Sequence, residues 1–233
     1  MKIALLGYGK MGKMIEQIAL GRGHEIVAKI DINSTATDIS KADVAIDFSI
    51  PDAAFNNITL CLENGIPVIS GTTGWLDKYP QAVALCEKHN GAFIYASNYS
   101  LGVNIFFQIN EYLAKIMNNH AQYQVNMEEI HHTQKLDAPS GTAITLAEGI
   151  IAHTDKTKWT LEDPKANEIQ IVAKRIDAVP GTHTVSYESD IDSISMTHTA
   201  NSREGFALGA VVAAEWIVGK QGVFTMKDVL NLG

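Results

Sequence analysis

The sequence predicts an α/β protein in two parts: a doubly wound parallel sheet, and an inserted α+β segment with a mixed or antiparallel sheet, after which a last helix returns to the first part. Three observations carry this. Up to about residue 100, short apolar runs alternate with amphipathic stretches, as expected of strands covered by helices on both faces. After Leu101-Gly102 the apolar spacing first suits one long helix and then turns into a largely alternating pattern, the mark of half-exposed strands. From Glu204 to Val218 the chain is strongly apolar over a helical length.

The elements follow in order. Lys2–Leu6 and Glu25–Ile30 are strands, with a helix from Lys13 to Ala19 between them. Val44–Phe48 is a third strand. Pro51-Asp52 starts a helix that continues from Ala53 to Glu63, where Asn64-Gly65 stops it. Pro67–Ser70 and Ala92–Ala96 are strands around a helix from Gln81 to His89. The second part opens with a helix from Asn104 to Ile116, then a strand from Gln122 to Ile130 and a helix from Ala143 to Ala152, with Pro139 near that helix's first turn. Ile169–Ile176, His183–Glu188 and Ser193–His198 are strands separated by Val179-Pro180-Gly181 and Ser189-Asp190. Val223–Leu230 closes the chain. The expected division is residues 1–101 with 203–233, and 102–202 between them, with hinge candidates at Leu101-Gly102 and Asn201-Ser202-Arg203.

Chemistry enters at the first turn. Gly7-Tyr8-Gly9-Lys10-Met11-Gly12 reads G-x-G-x-x-G directly after a strand and before a helix, and the next strand ends at Asp31. That order marks a Rossmann-type dinucleotide-binding domain. The glycines allow a tight turn, close approach of a pyrophosphate and close helix packing, and the acid accepts hydrogen bonds from the adenosine ribose. The expected cofactor is NADH or NADPH. Asp31 repels a 2′-phosphate and so favours NADH, while Lys10 and Lys29 are nearby cations that offset it. Gly71-Thr72-Thr73-Gly74 follows another strand, at the sheet edge where ligands bind, and its small residues and hydroxyls suit a ribose or nicotinamide.

Bulk properties narrow the partners. The chain has 233 residues, 46% apolar and 19% charged, as in ordinary globular proteins. A net charge of −8 argues against nucleic acid. Cys61 and Cys86 lack metal-site spacing and are expected as buried reduced thiols. No apolar run is long enough to span a bilayer and no signal peptide is expected, so a cytoplasmic protein without membrane contact is the default.

The densest chemistry lies in Glu128–Thr142, E-E-I-H-H-T-Q-K-L-D-A-P-S-G-T. His131 and His132 follow a strand, so their side chains diverge if the strand persists. Imidazoles titrate near neutrality and suit acid–base work, but two adjacent histidines are a poor metal motif, and no metal is expected. Lys135 adds a cation and a proton donor. Ser140-Gly141-Thr142 opens a helix and offers hydroxyls and free N–H groups to a carboxylate. Arg203 is a further carboxylate-binding candidate.

This stretch closely resembles the signature E-x-H-H-x-x-K-x-D-A-P-S-G-T-A of the 4-hydroxy-tetrahydrodipicolinate reductase (dihydrodipicolinate reductase) family. I-D-F-S at 46–49, G-T-T-G at 71–74, S-N-Y-S at 97–100 and V-P-G-T at 179–182 resemble further landmarks. The glycine loop is one residue shorter than the common family form, and the chain is short between Asp31 and Ala42. The resemblance implies an NAD(P)H-dependent enzyme of lysine biosynthesis through diaminopimelate, acting on a small cyclic dicarboxylate and assembled as a homotetramer through the second sheet. It implies that His131 and Lys135 exchange protons and that His132, Gly141 and Thr142 bind substrate, with Ser140 assisting. It also implies that Gly7–Gly12, Asp31, Gly71, Thr72 and Thr73, and Ala96, Ser97, Asn98 and Tyr99 line the cofactor. Two rivals stand beside it: a nicotinamide enzyme with another amino-acid-derived substrate, and a catalytically silent dinucleotide-binding sensor.

Overall fold

The computed structural model describes residues 1–32, 34 and 38–232, so part of the Asp31–Ala42 link lies outside the described residues. The chain divides into two compact units, Met1–Leu101 with Glu204–Gly233, and Gly102–Arg203.

The first unit contains β1 (Lys2–Leu6), α1 (Lys10–Gly21), β2 (Glu25–Ile30), β3 (Val44–Asp47), α2 (Pro51–Glu63), β4 (Val68–Ser70), α3 (Tyr79–Lys88) and β5 (Ala92–Tyr95). The second contains all but the first residue of α4 (Leu101–Met117), then β6 (Gln124–His131), α5 (Gly141–Ile151), β7 (Lys158–Thr160), β8 (Glu168–Arg175), β9 (Thr182–Glu188) and β10 (Ser193–Thr199). The chain then returns to the first unit with α6 (Glu204–Ile217), β11 (Gly222–Phe224) and α7 (Met226–Val229).

The first sheet is wholly parallel in the order β11-β5-β4-β3-β1-β2. Adjacent residues of one strand point to opposite faces, which splits its apolar runs between two cores. Ile3 and Leu5 pack with Ile15 and Ala19 of α1 and Ala210, Ala214 and Ile217 of α6. Ala4 and Leu6 pack with Ile58 and Leu62 of α2 and Cys86 of α3. Both cysteines are buried and unpaired, and burial pushes both thiols up. The strand order reverses at β1, which lies between β2 and β3, and that is the switch point where open sheets of this kind bind ligands.

The second sheet is mixed, in the order β10-β9-β6-β8-β7. β9 runs antiparallel to β6 and β10, whereas β6, β8 and β7 are mutually parallel. Val125 and Met127 of β6 face a core formed with Phe106 and Ala114 of α4 and Leu146, Ala147 and Ile150 of α5.

Several of the shortest elements differ from expectation in kind. β7 and β11, three residues each, are too short for a periodic signal and are held by pairing with β8 and β5. Two boundaries shift for local reasons. α1 starts at Lys10 because Gly9 takes the extended N-cap conformation. Pro139 sits before the cap of α5 and not in its first turn, since Ser140 is the N-cap.

Candidate active site

The site of the second unit is built at the end of β6. Strand alternation turns Glu129 and His131 inward with Val125 and Met127, so a carboxylate and an imidazole share the core face. A buried charge needs partners, and Glu129, fully buried, has several. Its Oε2 accepts the Ser140 backbone N–H at 3.0 Å, and its Oε1 accepts Arg175 Nη2 at 3.2 Å. His131 Nδ1 lies 3.5 Å from Oε2, and His183 Nε2 lies 3.7 Å from it. His183 arrives because β9 pairs Glu129 with His183 across the ladder. Arg175 arrives because parallel β8 pairs it with His131. The two imidazoles meet edge to face with centroids 5.0 Å apart.

Ser140 joins this cluster to α5. Its Oγ accepts the Ala143 N–H at 3.2 Å as the helix cap and sits 3.0 Å from His183 Nε2. Gly141 and Thr142 then stand at the first positions of α5, where N–H groups have no carbonyl within the helix to bond. A side chain at Gly141 would meet nothing within 4 Å, so the approach to that backbone is open.

The loop between His131 and Ser140 is clamped from β8. Arg175 donates from Nε to the Lys135 carbonyl at 3.3 Å and from Nη2 to the Asp137 carbonyl at 2.6 Å. The Lys135 ammonium lies on the Asp137 carboxylate at 2.8 Å and 2.9 Å, which holds that carboxyl below its usual range. His132, half-buried, lines a cavity of about 500 Å³ together with Arg203, Thr133, Asp177 and Pro180. Of the sequence-selected residues, His131 and Ser140 lie in the buried cluster, Gly141 and Thr142 open α5, His132 and Arg203 line the cavity, and Lys135 is held on the loop by Asp137.

Electrostatics separate the two inward histidines. Burial pushes His183 down to about 4, with His131 as a lesser contributor, so it is neutral at neutral pH. Burial also lowers His131, but the Glu129 charge opposes it. The Glu129 carboxyl ends below its usual range: burial raises it, and hydrogen bonds from Ser140 and Arg175 outweigh that. Glu129, His131 and His183 each place a donor atom within 4.8 Å of the others, a spacing a metal ion would accept. Glu129 already holds Ser140 and Arg175, and His183 Nε2 engages Ser140, whereas Nδ1 of His131 and Nδ1 of His183 are buried without a hydrogen-bond partner.

The first unit carries the glycine loop at the β1 switch point. Gly7 has φ +94°, and a Cβ there would lie 2.1 Å from the Phe48 carbonyl oxygen. A Cβ on Gly12 would lie 2.3 Å from the Gly7 carbonyl oxygen. These two glycines are demanded by the fold itself. Gly9 is not, since a Cβ there would meet nothing within 4 Å, leaving room at the start of α1 for a ligand's phosphates. Asp31 is exposed at the end of β2, as a ribose ligand requires, and Lys10 is exposed at the start of α1. Lys29 forms an ion pair with Glu16 at 2.6 Å and lies over the Tyr8 ring, so it is not the free cation expected from the sequence.

Two hydroxyls expected at the cofactor, those of Thr72 and Tyr99, turn inward. Thr72 and Ser70 donate to the buried Asp47 carboxylate at 2.8 Å and 2.7 Å, as do Ser49 and Asn57. Tyr99 is buried against Phe48 and donates to the Ser70 carbonyl at 3.0 Å. What these positions offer a ligand is backbone. Gly71 is needed because a Cβ would strike the Phe48 ring at 2.3 Å. Thr73 and Ser97 are exposed, and Ala96 and Asn98 half-buried. Sequence reasoning passed over Glu129, Arg175, His183 and Asp47. The alternation of β6 and β9 was a usable signal for Glu129 and His183, whereas Arg175 depends on a parallel pairing that no local pattern announces.

Residues 1–99 match the family model "Dihydrodipicolinate reductase, N-terminus", and residues 102–230 match "Dihydrodipicolinate reductase, C-terminus". A curated relative from Christiangramia forsetii, named 4-hydroxy-tetrahydrodipicolinate reductase, is 59% identical over 99% of this chain and 98% of its own. One from Archaeoglobus fulgidus with the same name is 38% identical over 99% of this chain and 100% of its own. In fold, the chain is similar to a dipicolinate-bound dihydrodipicolinate reductase from Paenisporosarcina sp. TG-14, with a TM-score of 0.78 at 23% identity over 96% of this chain and 97% of that one. With both halves matched and two relatives covered from end to end, the chain belongs to the dihydrodipicolinate reductase family.

Proposed function

We propose that this chain reduces 4-hydroxy-tetrahydrodipicolinate to tetrahydrodipicolinate with loss of water, in lysine biosynthesis through diaminopimelate. The observation that carries the reading is the Glu129–Ser140 junction, which brings a histidine at a strand end to an open helix N-terminus. When bound at the glycine loop, NADH or NADPH supplies the hydride. One proton is consumed with each hydride, and one water leaves with the 4-hydroxyl group.

The chain's own residues do the rest. His131 and Lys135 give and take the proton, since an imidazole can both accept and donate one and an ammonium carries one to give. The N–H groups of Gly141 and Thr142, with Ser140, hold one carboxylate of the substrate, and His132 and Arg203 take the other. Gly7, Tyr8, Gly9, Lys10, Met11 and Gly12 cradle the pyrophosphate, and Asp31 takes the adenosine ribose. Gly71, Thr72 and Thr73, with Ala96, Ser97, Asn98 and Tyr99, border the rest of the cofactor. Because Lys29 is engaged by Glu16, Asp31 goes unopposed by it and NADH is the favoured donor. We place the enzyme in the cytoplasm as a homotetramer assembled through the second sheet; no helix among the described residues is long and apolar enough to cross a membrane.

The test is an assay in which aspartate semialdehyde and pyruvate, with the partner synthase, generate the substrate in situ while absorbance follows NADH and NADPH. Consumption of neither would overturn the proposal and leave the silent sensor. Lys135→Ala and His131→Ala should each lower kcat by about 10²-fold or more with NADH affinity near normal. Gly9→Ala should do the reverse, weakening NADH with little effect on the melting temperature. If His131→Ala or Lys135→Ala instead abolished NADH binding, those residues would be assigned to the wrong ligand.

A further inference from the structure

We infer that Glu129 is the positioning residue of this site: through Nδ1 it fixes the His131 ring in the tautomer that leaves Nε2 to the reacting molecule. The inference rests on the reading of His131 as a proton-transfer residue and adds which nitrogen acts and what sets it.

The geometry separates the two ring nitrogens. His131 Nδ1 is sealed from solvent and has no hydrogen-bond partner at good geometry. The Glu129 carboxylate, 3.5 Å away, is the acceptor that a small ring rotation brings into range. A nitrogen enclosed in this way cannot exchange protons with a substrate. Nε2 lies on the opposite edge of the ring, beside Gly181. A Cβ at 181 would stand 3.1 Å from Nε2 and 3.3 Å from Cδ2, so glycine there keeps the working edge uncovered. The Val179–Thr182 turn, unassigned in the proposed mechanism, thereby acquires a task.

Glu129 is itself immobilised. The Ser140 N–H holds Oε2, and Arg175, whose guanidinium also clamps the loop carbonyls of 135 and 137, holds Oε1. The carboxylate therefore sets the His131 ring and the α5 turn together. The charged and titratable groups facing His131 are Glu129 on its own strand, Arg175 from β8, His183 from β9, and Lys135 and His132 from the loop. His198 of β10 acts on His183. Of the neighbours that act on His131 by charge, Glu129 favours the imidazolium and Lys135, Arg175 and His132 oppose it. Removing the Glu129 charge therefore makes His131 a weaker base.

The experiment combines kinetics with imidazole ¹⁵N NMR on the full-length enzyme. In the unsubstituted protein the neutral His131 ring should carry its proton on Nδ1. Finding it on Nε2 would overturn the inference, whether or not any variant folds. Glu129→Gln should lower kcat by about tenfold or more, as loss of tautomer control does elsewhere. NADH affinity should hold. Activity needs protonated His131 and so falls as pH rises through its pKa; in Glu129→Gln that fall should come at lower pH. An unchanged kcat and pH profile in a folded Glu129→Gln protein would also overturn it. Gly181→Ala should lower kcat while leaving the Nδ1–H tautomer in place, and full activity there would contradict the assignment of Nε2. Full turnover by His131→Ala would instead defeat the underlying reading of His131, while the NMR result would still stand on Glu129.

Discussion

Residues in the site take their properties from how completely they are enclosed. His183 differs from His131 by its place on β9, where burial pushes its pKa from 6.5 to about 4. The unfolded chain thus binds a proton that the folded chain refuses. The resulting stability is complete above about pH 6.5 and is lost as pH falls toward about 4, a contribution approaching about 3 kcal/mol. Glu129, with a lowered carboxyl pKa, acts in a lower window, below its ordinary value of 4.5. Urea unfolding from pH 7 to 4 should therefore lose stability steadily, and His183→Gln should flatten most of that slope. An unaltered slope would mean that His183 is protonated in the folded protein. The alternating run places His183 on the inward face of β9 with Val185 and Tyr187, but its partner Glu129 and the depth of its burial come only from the pairing with β6. The same sequence does display His131, His132 and Lys135, because residues close in sequence show their spacing directly.

Elements owe their placement to small residues at points of contact. In α6, a Cβ on Gly209 would come within 1.7 Å of the Tyr99 carbonyl oxygen, so the helix lies directly on the turn after β5. Gly209→Ala should destabilise the protein by about 3 kcal/mol through overpacking. Gly21, at the end of α1, has nothing within 4 Å of its Cβ position and no positive φ, so Gly21→Ala should gain about 0.5 kcal/mol. Chemical denaturation separates the two, and equal effects would refute the packing argument. The long periodic helices and the apolar parallel strands were readable because each repeats its pattern over several residues. β7 and β11 were not, since three residues carry no period and their pairing is decided by distant partners. The Asp47 network was hidden similarly: Ser49, Asn57, Ser70 and Thr72 converge on one carboxylate from three separate segments.

At the scale of the whole molecule, a net charge of −8 meets an anionic substrate and an anionic cofactor. The long-range field repels both, while the partners proposed for them, His132, Arg203 and the helix N-termini, would attract over a few ångströms. Screening removes the long-range part first, because the Debye length falls to about 8 Å near 0.15 M salt. kcat/KM for the dicarboxylate should therefore rise between about 10 mM and about 150 mM salt and decline toward 1 M as the close ion pairs weaken. A fall from the lowest salt onward would show that local cations govern the encounter throughout. The division into two units was legible as a change of periodicity after Leu101-Gly102, since a parallel sheet and a half-exposed sheet bury different fractions of each strand.

The clamp on the loop before α5 has a consequence for how this chain tolerates change. The loop is tied at His131 by the strand, at the carbonyls of 135 and 137 by Arg175, and at Ser140 by Glu129. Thr133, Gln134 and Leu136 between those ties are exposed. Replacing these three leaves the ties in place, although Thr133 also donates to Asp177 Oδ1 and, with Gln134, lines the cavity beside His132. Inserting or deleting one residue among them shifts every tie at once, displacing the lysine, the guanidinium contacts and the helix cap in a single step. The segment is thus permissive in letters and strict in count, and the length between His131 and Ser140 is as much a part of the site as the residues at its ends.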